Sequence, residues 1–154
     1  LMLGGILALA MAPTLAVAAP GGAKAGAITI EGASVRAVPE GRKVTAGYFK
    51  LINKGPADTL IGATSPVAEV IELHTHQKMP DGVMRMRRLE KGIEAPANSE
   101  VVLAPGGLHL MLFGLKGPIT AGQVVPITLS FSKAGQVKIE AVAAAAPAKP
   151  AHAH

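Results

Sequence analysis

Short apolar runs recur along the middle of this chain at roughly ten-residue spacing, each followed by turn residues. No other feature narrows the fold so far. ITIEGASVRAV, TAGYFKLINKG, TLIGATS and VIELHTH read as the first four strands, the second ending in an Asn-Lys-Gly-Pro turn. Pro80-Asp81-Gly82 then closes a hairpin onto VMRMRRLE, and the chain turns again near Pro96-Ala97-Asn98. EVVLA, LHLMLFGL, VVPITLSF and VKIEAVA follow. About nine short strands at this spacing predict one all-β sandwich or barrel. Hydrophobic residues make up 49% of the chain and aromatics only 3%, so the core must be built from Val, Ile, Leu, Ala and Met. The 18 Gly and 12 Pro are scattered, with no repeat of repeat-protein length.

The two ends differ from the middle. LMLGGILALAMAPTLAVAAP is apolar and closes in small residues, with Ala16-Val17-Ala18 matching the A-x-A pattern of signal-peptide cleavage. Pro13 and the Ala-rich close argue against a membrane or core helix. Residues 1–19 are therefore expected to be a signal peptide, already under way at Leu1, with export to a bacterial periplasm and no membrane span in the mature protein. Residues 20–26, PGGAKAG, read as a flexible linker, residues 27–143 as the domain, and residues 144–154 as a disordered Ala/Pro/His tail.

Cysteine is absent, which removes disulfides, zinc-thiolate and iron–sulfur sites, a cysteine nucleophile and the blue-copper site. The net charge is +5, with basic residues scattered except at Arg85, Arg87 and Arg88. Aromatic residues do not interleave with them, so no nucleic-acid platform is expected. The basic residues read as a solvated face, or alternatively as a docking patch for an acidic partner.

Three patterns could carry chemistry: His74-Thr75-His76, Met84-Arg85-Met86 and His109-Leu110-Met111. Each is X-any-X, the period of a strand, so both members of a pair face the same side. The first two flank one hairpin, and His109 follows Pro105-Gly106-Gly107, near loops. Thioether sulfur is a soft, neutral donor suited to Cu(I), and imidazole serves Cu(I), Cu(II) and Zn(II). A His/Met set without thiolate or carboxylate thus selects Cu(I). Glu72, Asp81 and Glu90 could support the ligands from outside. A structural reading competes: Met in a β-protein is usually core filler. Arg85 and Arg87 must face water, so alternation turns Met84 and Met86 inward, while Ile71 and Leu73 turn His74 and His76 outward. A bulge or a sheet edge has to reconcile the two.

With these residues in view, the run from Ile71 to Lys116 resembles the PCuAC family of periplasmic copper chaperones. DGVMRMR, GIEAPA, LAPGG and HLML-GLK carry the resemblance, which extends more weakly from about Ala27 to Ala143. The family pattern is a His, a spacer, a Met, a longer spacer and His-x-Met. It matches His74, Met86, His109 and Met111 here. Each spacer is one residue longer than in the family, with eleven residues between His74 and Met86 and twenty-two between Met86 and His109. The additions fall in the QKMPDG turn and at Lys91, where insertion costs little. His76 stands where many relatives carry Met, as an extra ligand or a surface residue. Met84 and Met79 are weaker alternatives to Met86.

The resemblance implies a cupredoxin-like Greek-key β-sandwich. It also implies Cu(I) delivery by ligand exchange toward the CuA centre of cytochrome c oxidase, in partnership with an Sco-type protein. The alternative is periplasmic copper storage or resistance without a dedicated acceptor. A copper enzyme lacks support, since the sequence offers no second copper centre, nucleophile or acid–base pair. A metal-free scaffold would leave the three pairs as coincidence. His152 and His154 are either chance histidines of a solubilising terminus or a candidate auxiliary site for Cu(II), because imidazole without thioether favours the harder ion.

Overall fold

A computed structural model describes residues 22–145. The expected signal peptide and the tail histidines His152 and His154 lie outside the described residues. Among the described residues every regular element is a strand. In chain order these are β1 (Ala23–Ala25), β2 (Ile28–Arg36), β3 (Val44–Asn53), β4 (Asp58–Thr64), β5 (Val70–Lys78), β6 (Met84–Arg88), β7 (Ile93–Ala95), β8 (Ser99–Val102), β9 (His109–Phe113), β10 (Val124–Phe131) and β11 (Gly135–Ala144).

Seven strands close on themselves in the order β2-β11-β10-β4-β5-β9-β3, because β3 also pairs with β2. All of these pairs are antiparallel except β11–β2. The connections β3–β4, β7–β8 and β9–β10 join strands that are not neighbours, giving the cupredoxin-like Greek-key pattern. Closure leaves few free sheet edges. The short strands β1, β6, β7 and β8 attach outside this ring, to β2, β5, β4 and β3.

Period-two alternation fills the interior. Ile28 and Ile30, Phe49 and Leu51, Ile71 and Leu73, Leu110 and Leu112, Ile127 and Leu129, and Val137 and Ile139 are all buried, and their strand neighbours point outward. Burying each aliphatic side chain of this size contributes about 1.5–3 kcal/mol. Two glycines shape the frame. Gly32 has φ +62 at the register shift in β2, where that strand exchanges β1 for β11 as its partner. Gly92 (φ +90) brings the chain back from β6 to β7, where any Cβ would collide with the Leu60 carbonyl oxygen.

Three stretches depart from the sequence reading. Ala23–Ala25, expected as linker, forms β1, because Gly26 at φ +57 lets the chain fold back and pair Ala25 with Ile28. Ala144, placed in the tail, belongs to β11, and its carbonyl accepts the Ala37 N–H at 2.8 Å. Strand β7, in the GIEAPA stretch, was also not expected; it is held by Leu60 pairing with Ile93 and Asp58 with Ala95.

Asp58 ties the start of β4 to the turn between β10 and β11. Its carboxylate accepts the backbone N–H groups of Thr59 (2.8 Å), Lys133 (2.8 Å) and Ala134 (2.9 Å). Burial pushes its pKa up, but these three donors and the nearby Lys133 charge outweigh that, and the net shift is downward from 3.8. The folded state therefore holds the proton less tightly than the unfolded chain. The resulting stability is present above the unfolded value and is lost as pH falls through the lowered one. We expect Asp58→Ala to cost about 2–4 kcal/mol, because three donors lose their acceptor. Denaturant melts of both proteins at neutral pH and below pH ~4 check this: the gap should narrow in acid.

Candidate metal centre

The geometry of the centre begins with strand alternation on β5. Ile71 and Leu73 are buried, so Glu72, His74 and His76 share the outer face. On one side β9 sets Met111 opposite Glu72 and His109 opposite His74. On the other side β6 sets Arg88 opposite His74, Met86 opposite His76 and Met84 opposite Lys78. Beyond β9, β3 places Ala46 opposite Met111. Paired residues point the same way, so all three X-any-X patterns lie on one outer face of four adjacent strands.

Alternation with Arg85 and Arg87 predicts that Met84 and Met86 face the core; they are instead 53% and 49% exposed. The reason is that β6 is a ribbon on β5 outside the closed ring, with all five of its residues exposed. Neither of its faces is core, so Arg85 and Arg87 can face water without sending the methionines inward. The sheet edge reconciles the two patterns.

His76, Met86, His109 and Met111 line one open cavity of about 410 Å³. His74 does not line it but stacks beside it, its ring centroid 5.9 Å from that of His109. The His76 ring lies 5.1 Å from the His109 ring and the Tyr48 ring 6.5 Å away. These rings leave His109 only 2% exposed. His109 Nδ1–H donates to the Gly107 carbonyl at 2.9 Å, an acceptor supplied by the loop before β9. The neutral ring then keeps a lone pair on Nε2. His74 Nε2 lies 2.8 Å from Glu72 Oε2, and Arg88 Nη1 lies 3.3 Å from Glu72 Oε1. Met79 sits in the β5–β6 turn, its backbone N–H bonded to the Val83 carbonyl, and Met84 lies beyond the cavity.

The donor types decide what such a face can hold. Among the described residues no three His or carboxylate side chains form a cluster able to hold a metal ion. Met86 and Met111 place sulfur beside the imidazoles, and two thioethers with imidazoles suit a soft monovalent ion. Arg36, Arg42, Thr45 and Tyr48, which also line the cavity, were missed in the sequence. The outward phase of Tyr48 was readable from buried Gly47 and Phe49, but the pairing of β3 with β9 was not.

A family model described as "Putative lipoprotein LpqE-like" matches residues 28–143. "Putative lipoprotein Lxx21020" of Leifsonia xyli subsp. xyli is 38% identical over 111 residues, which is 72% of this chain and 66%, just under two thirds, of that relative. The copper-bound PCuAC domain from PmoF2 is 29% identical with a TM-score of 0.68, covering 81% of this chain and 98% of that domain. The CuI-DR1885 solution structure from Deinococcus radiodurans is 30% identical with a TM-score of 0.59, covering 80% of each chain.

Burial is the main reason that the His109 pKa falls below 6.5; the Gly107 bond opposes it, and His76 and His74 add to the lowering. Between the lowered value and 6.5 the unfolded chain binds the extra proton and the folded one does not. Stability is therefore full above 6.5 and is lost as pH falls toward the folded value. We expect the ¹⁵N imidazole resonances of His109 in the metal-free protein to titrate with a midpoint below 6.5. A midpoint at or above 6.5 would contradict the burial account.

Proposed function

Because the chain belongs to the LpqE-like family, and its structural neighbours are PCuAC domains, we propose that it is a Cu(I) carrier of the cell envelope that delivers copper by ligand exchange. The observation that carries this reading is the gathering of His76, Met86, His109 and Met111 around one open cavity, with His74 against His109. The ligands we assign are His74, Met86, His109 and Met111, with His76 as an additional donor. Copper is cargo here, and no bond other than metal–ligand bonds is made or broken.

The physical logic is one of weak, neutral donors. Imidazole and thioether hold Cu(I) without the charge pairing that would trap it. Met86 stands on an exposed ribbon, so an incoming ligand can replace its sulfur while His109 and Met111 keep the ion. His109, buried and hydrogen-bonded, is the fixed end of the site, and Met86 is the yielding end. We place the protein outside the cytoplasm, in the periplasm, in keeping with the A-x-A stretch and the lipoprotein names of its relatives. The acceptor we propose is the CuA subunit of cytochrome c oxidase, with an Sco-type protein as partner. Copper storage is the alternative, and anaerobic transfer to purified acceptors separates the two: a carrier empties into an acceptor and a store does not. We further propose that His152 and His154 hold Cu(II), in which case truncation after Ala145 removes Cu(II) binding and spares Cu(I).

We expect Met111→Ala to weaken Cu(I) binding by more than about tenfold in competition with a chromophoric chelator, since loss of even an outer-shell partner costs 10–100-fold. Met79→Ala, altered only in the turn, should bind as the parent does. Equal affinities would contradict the ligand assignment. A large fall in the melting temperature of metal-free Met111→Ala would point to packing instead.

A further inference from the structure

Glu72 lies between two partners that it joins. One carboxylate oxygen is 2.8 Å from His74 Nε2 and the other 3.3 Å from Arg88 Nη1. The sequence builds this locally: Glu72 and His74 are alternate residues of β5, and Arg88 is directly opposite His74 on β6. The His74 side chain is 12% exposed and Glu72 21%, so the contact is shielded from water more than a surface ion pair would be. His74 Nδ1 is buried and has no hydrogen-bond partner among the described residues. Buried polar atoms are nearly always paired, so this one calls for a reason.

Resting on the ligand assignment above, we propose that Glu72 is a positioning residue that fixes His74 as the Nε2–H tautomer and so leaves the Nδ1 lone pair for Cu(I). A carboxylate offers only lone pairs, so the proton of this hydrogen bond sits on Nε2. A proton on Nδ1 would be a buried donor without an acceptor. The neutral ring therefore has one nitrogen committed to Glu72 and the other free and shielded from water. Arg88 anchors the far oxygen and holds the carboxylate in place. The bare Nδ1 is then an atom awaiting a ligand that is not a hydrogen-bond donor, and a soft cation meets that description.

The test combines ¹⁵N NMR of the metal-free protein with anaerobic Cu(I) competition, for the parent, Glu72→Ala, Glu72→Gln and Met111→Ala. Glu72 is on the outer face, and thermal melts verify that each variant folds. The parent should show His74 with a protonated Nε2 and a bare Nδ1. Glu72→Ala should show mixed tautomers and about 10–100-fold weaker Cu(I) binding, the usual cost of losing such a partner. Glu72→Gln, which retains an accepting oxygen, should recover most of both. A purely structural role for Glu72 would move the melting temperature and leave the tautomer as it was. If Met111→Ala loses Cu(I) affinity but Glu72→Ala keeps it, or if parent His74 carries its proton on Nδ1, the positioning role is overturned while the carrier reading stands. If the parent binds no Cu(I), the carrier reading falls, and this proposal with it.

Discussion

The in-register pairing of β5 with β9 on one side and β6 on the other is the constraint on which the site depends. Side chains alternate along a strand, so a slip of one residue would send every donor of that strand to the opposite face. The observed register sets His74 against His109 and His76 against Met86. Buried Ile71, Leu73, Leu110 and Leu112 hold it, since any slip would expose them while burying His74 and Met111. The hydrophobic core thus specifies the site without touching it.

Each part of the site inherits its character from its place relative to the closed ring. Strand β9 lies within the ring, flanked by β3 and β5, and His109 is consequently covered and tied to Gly107. Strand β6 lies outside it, and its methionines remain open to solvent. Of the candidate donors, His109 is shielded and Met86 is exposed. On the carrier reading proposed above, Met86 is the donor that an incoming ligand replaces first. Arg85, Arg87 and Arg88 lie on this edge ribbon, where charged side chains disfavour pairing with another chain.

The fold was largely legible, because alternation and turn chemistry act locally. The nine expected runs appear as strands, and the Pro80-Asp81-Gly82 hairpin forms with Gly82 at φ +84. The shared facing of His74 and His76 followed from buried Ile71 and Leu73. What escaped was decided by partners distant in sequence. Met84 and Met86 were turned inward on the assumption that β6 has a core face, and its position outside the ring removes that assumption. Tyr48 and Arg36 join the cavity through the pairing of β3 with β9 and with β2, which no local pattern announces. The Glu72–His74–Arg88 contact needed the β5–β6 register, although its E-x-H spacing was on view in the sequence.

The central claim is that this face holds Cu(I) through nitrogen and sulfur together. X-ray absorption of the anaerobically loaded protein, cut after Ala145 to exclude the tail histidines, reads those donors directly. The account expects one Cu(I) with both nitrogen and sulfur scatterers in its first shell. Bound Cu(I) with no sulfur scatterer would contradict it.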